Sequence, residues 1–414
     1  MLTILFVIFL LASVALRLWL ASRQVRHVRA NRDQVPGEFA SCIGLESHQR
    51  AADYTTARVR LGMFEGVFDA AVVVALTLLG GLQAIDTFVA SLTSHDLLRQ
   101  VLLVVAVGLL TGLIGLPFSI YRQFVLEARF GFNRMTPGLF ATDLVKGLVV
   151  GALLGLPLIA AVLWLMASAG NFWWLWAWGL WAAFSVLVML IFPTWIAPLF
   201  NKFTPLEDAA LAEDIHALAR RCDFSLKGLF VMDGSKRSAH GNAYFTGFGR
   251  SRRIVFFDTL IARLTPAEII AVLAHELGHY KHKHIIKRLV ISFTSALVFF
   301  AILGWLAQQS WFYADLGVTP RMDGRNDAIA LILFFMVVPV FTFVLTPLFS
   351  WFSRRDEFEA DRFAASQSAP EQLVSALVKL VDDNAATLTP DPIHSAFYDS
   401  HPPAAIRIRH LLAQ

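Results

Sequence analysis

Seven apolar stretches, near 1–20, 66–90, 98–121, 147–168, 172–196, 289–307 and 328–352, set the terms on which this chain can fold. Each approaches the ~20 residues that carry an α-helix across the hydrocarbon of a bilayer. Lipid offers backbone N–H and C=O groups no water, so a crossing segment must satisfy them within itself, as a helix does. The fold class expected is therefore mainly α, a polytopic membrane protein with seven transmembrane helices. Composition agrees: 57% of the residues are hydrophobic and 16% charged, where soluble domains are about 45–50% apolar. The first stretch reads as an uncleaved anchor, because Arg17 interrupts it and no small-residue cleavage site follows convincingly.

Loop charge orients these crossings. Residues 21–62 carry Arg23, Arg26, Arg29, Arg32, Arg50, Arg58 and Arg60, and the loop after the third stretch adds Arg122, Arg129, Arg134 and Lys146. The loops at 91–99, 169–171 and 308–327 hold only Arg99, Arg321 and Arg325. Lys and Arg concentrate on the cytoplasmic side, so the first set is expected there. Seven crossings then put 197–288 and the tail from 353 on the same face. The expected organisation is five crossings in 1–196, an insert at 197–288, two crossings in 289–352, and a cytosolic tail at 353–414. The net charge of +4 does not point to nucleic acid, because the basic residues collect beside apolar runs, where membrane lipid is the natural partner. Cys42 and Cys222 are too few for a disulfide framework. Glu65, Asp69, Asp86 and Asp143 fall in or beside the crossings and are expected either at paired helix ends or facing a wet cavity.

The insert is different material. An amphipathic helix is expected over 205–221, short strands at 228–233 and 253–258, and a glycine-dotted segment at 235–249 that allows a third strand. Residues 266–288 read as one continuous helix, and inside it stands His275-Glu276-Leu277-Gly278-His279. Two histidines four apart share a helical face and can reach one Zn2+ ion, while Glu276 sits beside any water held there, placed to take a proton. Catalytic zinc commonly takes a third protein ligand. His282 and His284, among Lys281, Lys283, Lys287 and Arg288, read as a basic collar at the membrane surface. The better source is the Ser353–Ala364 stretch, where Glu357 and Asp361 are four apart. One carboxylate can ligate while the other holds a histidine's free N–H; Glu359 points elsewhere and is the weaker choice.

With those residues in place, the chain resembles the Ste24-type CAAX prenyl proteases, the integral-membrane branch of the M48 zinc metallopeptidases. The resemblance runs through Glu127-Ala-Arg-Phe-Gly-Phe-Asn133, Pro198–Pro205, Asp233–Ser238 with Asn242-Ala-Tyr-Phe245, His275–His279, Glu357–Asp361 and Ser400-His-Pro-Pro403. It implies a seven-helix barrel around a water-filled chamber, closed by a gluzincin-like α+β domain. It further implies one zinc on His275, His279 and Glu357, with Glu276 as general base. The resemblance makes Asp361 a second catalytic residue or proton donor, whereas the spacing alone makes it a histidine orienter; both roles stand. Asn242, Ala243 and Tyr244 match an edge segment that binds substrate backbone, and His401 and Arg407 match tail residues that approach the metal and stabilise the oxyanion, which makes His401 catalytic and puts Arg407 among the substrate-binding residues. Ala404 and Ile406 depart from the family tail, which implies that a tail salt bridge is missing. The implied partner is a peptide or protein substrate, prenylated in the family. Two rivals remain: a quality-control protease of the HtpX type without prenyl requirement, and a transporter or scaffold with structural zinc. A structural site would be closed by four protein ligands.

Overall fold

Apolar runs too long for any soluble core become long helices. The computed structural model describes residues 1–246, 252–321 and 324–413. Six of its helical segments are long and apolar enough to cross a membrane: Leu2–Ala30, Asp96–Glu127, Pro137–Ser168, Gly170–Phe200, His284–Leu306 and Asp327–Gln367. One further pair, Leu45–Leu76 and Gly81–Leu92, passes the same test only when taken together and is bent by 55°, the geometry of a broken span or a re-entrant loop.

That pair corrects the expected 66–90 crossing. The helix begins at Leu45, far upstream of the apolar run, because helix propagation does not stop where hydropathy drops. It breaks where Gly80 adopts φ 78°, a left-handed geometry that glycine accepts without penalty. The membrane core gathers Phe6, Leu103 and Leu163 with Leu333 and Val337 of the Asp327–Thr342 helix. That helix passes through one tight turn, Phe343–Leu345, straight into Thr346–Gln367. The last crossing therefore delivers Glu357 and Asp361 on a continuous rod.

Three of the four acids in or beside the crossings have cationic partners. Glu65 pairs with Arg122, Asp143 with Arg237, and Asp86 with both Arg99 and Arg321. Asp69 is exposed on its helix.

The insert holds a four-stranded sheet ordered β1-β2-β4-β3. The strands are β1 (Phe203–Pro205), β2 (Leu226–Met232), β3 (Ala243–Thr246) and β4 (Arg252–Phe257). β2 and β4 run parallel, while β1 and β3 flank them antiparallel. Residues 203–205 thus close the sheet instead of opening the amphipathic helix. That helix starts at Ala209, where the Asp208 side chain accepts from the Leu211 N–H, filling one orphan donor of the first turn. Residues 247–249 of the glycine-dotted segment, and 322 and 323 of the loop at 308–327, lie outside the described residues.

The sheet and the Pro266–Lys281 helix contribute to the same core. Ile254, Phe256 and Leu229 join Ile269, Leu273, Leu277, Leu373 and Leu411 in a second core. This core ties the insert to the tail, so both sides of the chain's last two crossings share one apolar centre.

Candidate metal centre

The Pro266–Lys281 helix is strongly specified at its start. Pro266 occupies the first turn, and Thr265 and Glu268 form a reciprocal capping box. Glu268 does more than cap. Its carboxylate takes hydrogen bonds from Ser375 Oγ at 2.6 Å and Lys379 Nζ at 2.8 Å, with the Thr265 N–H at 2.7 Å. Burial alone would push this carboxyl up, but those donors outweigh it and hold its pKa below the ordinary range.

Halfway along, Gly278 faces the backbone of Ala360. The missing side chain lets the histidine helix press onto the Thr346–Gln367 helix, and three ligand-type groups converge there. His275 Nε2 and His279 Nε2 stand 3.3 Å apart. Glu357 brings Oε2 to 3.5 Å from His275 Nε2 and Oε1 to 3.3 Å from His279 Nε2. All three donor atoms fall within 4.8 Å of one another. His401 Nδ1 lies 2.8 Å from Glu357 Oε2, and that buried oxygen is left without a hydrogen bond among the described residues. Two imidazole nitrogens and an orphaned carboxylate oxygen crowded together make the donor set a divalent cation such as zinc requires.

The remaining ring nitrogens are held from behind. Asp361 Oδ1 is 2.8 Å from His275 Nδ1, on the side of the ring away from Nε2, which is the orienting geometry expected of a carboxylate behind a ligand histidine. Arg407 clamps Asp361 with Nε–Oδ2 at 2.9 Å and a second nitrogen to Oδ1 at 2.6 Å. Its remaining amino group is 3.7 Å from Glu357 Oε2. Burial would lower the Arg407 pKa, but the Asp361 hydrogen bonds and the nearby carboxylates of Glu357 and Glu276 raise it, keeping the guanidinium charged. Arg407 thus has a salt-bridge partner in Asp361, a pairing that does not involve position 406. Glu276 is half-buried on the same helix as the histidines.

The basic collar needs correction. The helix does not run on to Arg288: it ends at Lys281, Lys283 takes φ 58°, and a new helix starts at His284. The kink turns His284 inward to 1% exposure, with Nδ1 2.9 Å from His279 Nδ1. His282 stays exposed. Glu359, read as pointing elsewhere, meets His284 Nε2 at 3.1 Å.

Asn242 leads into β3, whose outer edge is the end of the sheet. Ala243 and Tyr244 pair with Phe256 and Val255 on the inner side, and among the described residues no strand pairs with the other edge. Asn242, His401 and Arg407 also line a cavity of about 1160 Å³. Its wall joins Glu127 and Phe132, both from the quoted Glu127–Asn133 stretch, to Tyr54, His240 and Asn384, which sequence patterns did not single out. Tyr54 donates to Glu127 at 2.7 Å, and His240, stacked on Phe132 at 4.4 Å, meets Asn384 Oδ1 at 2.9 Å. These residues lie far apart in the chain, and no local spacing connects them.

Comparison with known proteins places this geometry. Residues 24–202 match the family model described as CAAX prenyl protease N-terminal, five membrane helices, and 205–414 match that of peptidase family M48. The chain is 39% identical to a CAAX prenyl protease 1 homolog of Oryza sativa over 77% of its length and 74% of that protein's. It is 30% identical to the CAAX prenyl protease 1 homolog of Homo sapiens, covering 97% of this chain and 94% of the human protein. The crystal structure of S. mikatae Ste24p superposes with a TM-score of 0.91 at 30% identity, over 99% of this chain and 98% of that one.

Proposed function

We propose, from the premise that this chain belongs to peptidase family M48 and carries its five-helix CAAX prenyl protease N-terminal domain, that it is a membrane zinc metalloendopeptidase cleaving near the C-terminus of prenylated CAAX-type substrates. The observation that carries the reading is the convergence of His275, His279 and the unsatisfied Glu357 oxygen at one point. These three residues would hold the zinc. When bound, the ion supplies Lewis acidity for the scissile carbonyl and makes nearby water more acidic.

Everything else falls to the chain's own side chains. Glu276, adjacent to His275, accepts the proton of the attacking water and returns one to the leaving amine. Asp361, braced by Arg407, fixes the His275 ring with its Nε2 toward Glu357 and His279, the residues that would share the ion with it. That position supports the orienting role over direct proton donation. His401, on the cavity wall beside Glu357, is placed to steady the developing oxyanion. Arg407 is committed to Asp361, so its part in substrate binding is indirect. Substrate backbone adds to the free edge at Asn242, Ala243 and Tyr244. The arginine-rich loops support a cytoplasmic position for this domain.

The test is cleavage of a farnesylated CAAX peptide and its unlipidated twin by the purified protein, with and without a chelator. Chelator-sensitive cleavage that favours the farnesylated peptide is the expected result. Equal cleavage of both peptides would replace CAAX processing with broad quality-control proteolysis. No cleavage of either, with metal bound, would leave a structural metal.

A further inference from the structure

The two histidines of the candidate centre are held by different devices, and only one of them is a direct carboxylate contact. His275 Nδ1 faces Asp361 at 2.8 Å. His279 Nδ1 faces another imidazole, His284 Nδ1, at 2.9 Å. His284 in turn faces two carboxylates through Nε2, Glu359 at 3.1 Å and Asp356 at 3.5 Å. It is 1% exposed, so water does not substitute for these partners.

We propose that His284 is a positioning residue for the metal centre, relaying the charge of Glu359 and Asp356 onto the ligand His279. The inference rests on the reading of His279 as a ligand, and the tautomers then follow without freedom. A metal-facing Nε2 leaves the proton of His279 on Nδ1, because a neutral imidazole carries one N–H. That N–H has one near acceptor among the described residues, His284 Nδ1, which must be bare. His284 then carries its proton on Nε2, where it donates to the carboxylates. The chain is carboxylate, His284, His279, ion, and each link is set by the one before it. A carboxylate acting through a histidine's far nitrogen fixes ring orientation and raises ligand basicity; here it acts through one extra ring.

The same three groups, His284, Asp356 and Glu359, cluster closely enough to suggest a second ion site. The relay excludes that use, because the Nε2 facing both carboxylates carries a proton and has no lone pair to give. The acids are also answered already: Arg288 is 3.4 Å from Asp356, and Lys287 is 4.0 Å from Glu359.

The experiment compares the full-length parent with His284→Leu, His284→Asn and the double variant Glu359→Gln/Asp356→Asn, all in detergent. The readouts are metal stoichiometry, zinc affinity by chelator competition, the absorption spectrum of the cobalt-substituted protein, and the Tm of the metal-free form. The expected result is one ion per parent chain and an affinity loss of about 10–100-fold in His284→Leu, with an altered cobalt spectrum and an unchanged metal-free Tm. His284→Asn, whose side-chain oxygen can still accept from His279, should recover most of that loss. Combining the carboxylate double variant with His284→Leu should add nothing beyond His284→Leu alone. A folded His284→Leu protein binding zinc as tightly as the parent overturns the relay, as does a parent with two ions and a variant with one. If His284→Leu fails to fold, the double variant decides: unchanged zinc affinity there overturns the relay too. A parent that binds no zinc instead defeats the ligand assignment beneath it.

Discussion

Gly278 lies so close to Ala360 that a Cβ on it would come within 2.9 Å of the Ala360 Cα. The contact is backbone against backbone, so neither side can swing away. It sets how near the histidine helix comes to the rod carrying Glu357. Gly278→Ala should push the two helices apart and loosen the convergence of His275, His279 and Glu357. The expected cost is about 1–3 kcal/mol of stability from overpacking, with a drop in zinc affinity. Chelator competition and thermal unfolding of the variant check both; parental values for both would mean the close approach is not needed.

Glu276→Gln keeps the size of the side chain and removes the base. Turnover should fall by about 10²–10⁴-fold, while zinc content stays that of the parent, because the residue is not among the converging groups. Peptide cleavage assayed beside metal analysis separates these effects. Undiminished cleavage would end the general-base assignment.

Arg407 is the partner that keeps Asp361, at 0% exposure, from being a lone buried charge. Removing one member of a buried pair costs about 3–5 kcal/mol, so Arg407→Leu should lose stability on that scale. Arg407→Lys keeps the charge but not the two-pronged grip and should fall between. Unfolding monitored for all three proteins ranks them; Arg407→Leu as stable as the parent would show the clamp to be idle.

Glu268 makes a pH prediction. Its folded-state pKa is depressed, so its contribution is fully present above the unfolded glutamate value of about 4.3. The contribution is lost as pH falls through the lower folded value. The stability gap between the parent and Glu268→Gln should therefore be large at neutral pH and shrink on acidification below that range. Thermal unfolding of both across pH reads the gap directly. A gap that widens in acid would carry the wrong sign for this account.

Local pattern determined a good deal of this protein. Hydropathy located the crossings because lipid imposes the same demand on every one of them. The four-residue step from His275 to His279 put both rings on one face because helix periodicity is a local property. What local pattern misjudged was where elements stop. The helix expected as the second crossing starts at Leu45 and breaks near Gly80, and the histidine helix ends at Lys281, where Lys283 turns left-handed. A lysine in that conformation has no signature in composition, so His284 looked like one more member of a basic surface. Only tertiary structure brought it to His279, set Arg407 on Asp361, and gathered Tyr54, Glu127 and His240 on one cavity wall. Those contacts join residues whose spacing along the chain obeys no period. They exist because separate packed clusters, among them one in the membrane, one in the insert and one around Tyr54, Leu126 and Phe132, fix how the long helices lie against each other.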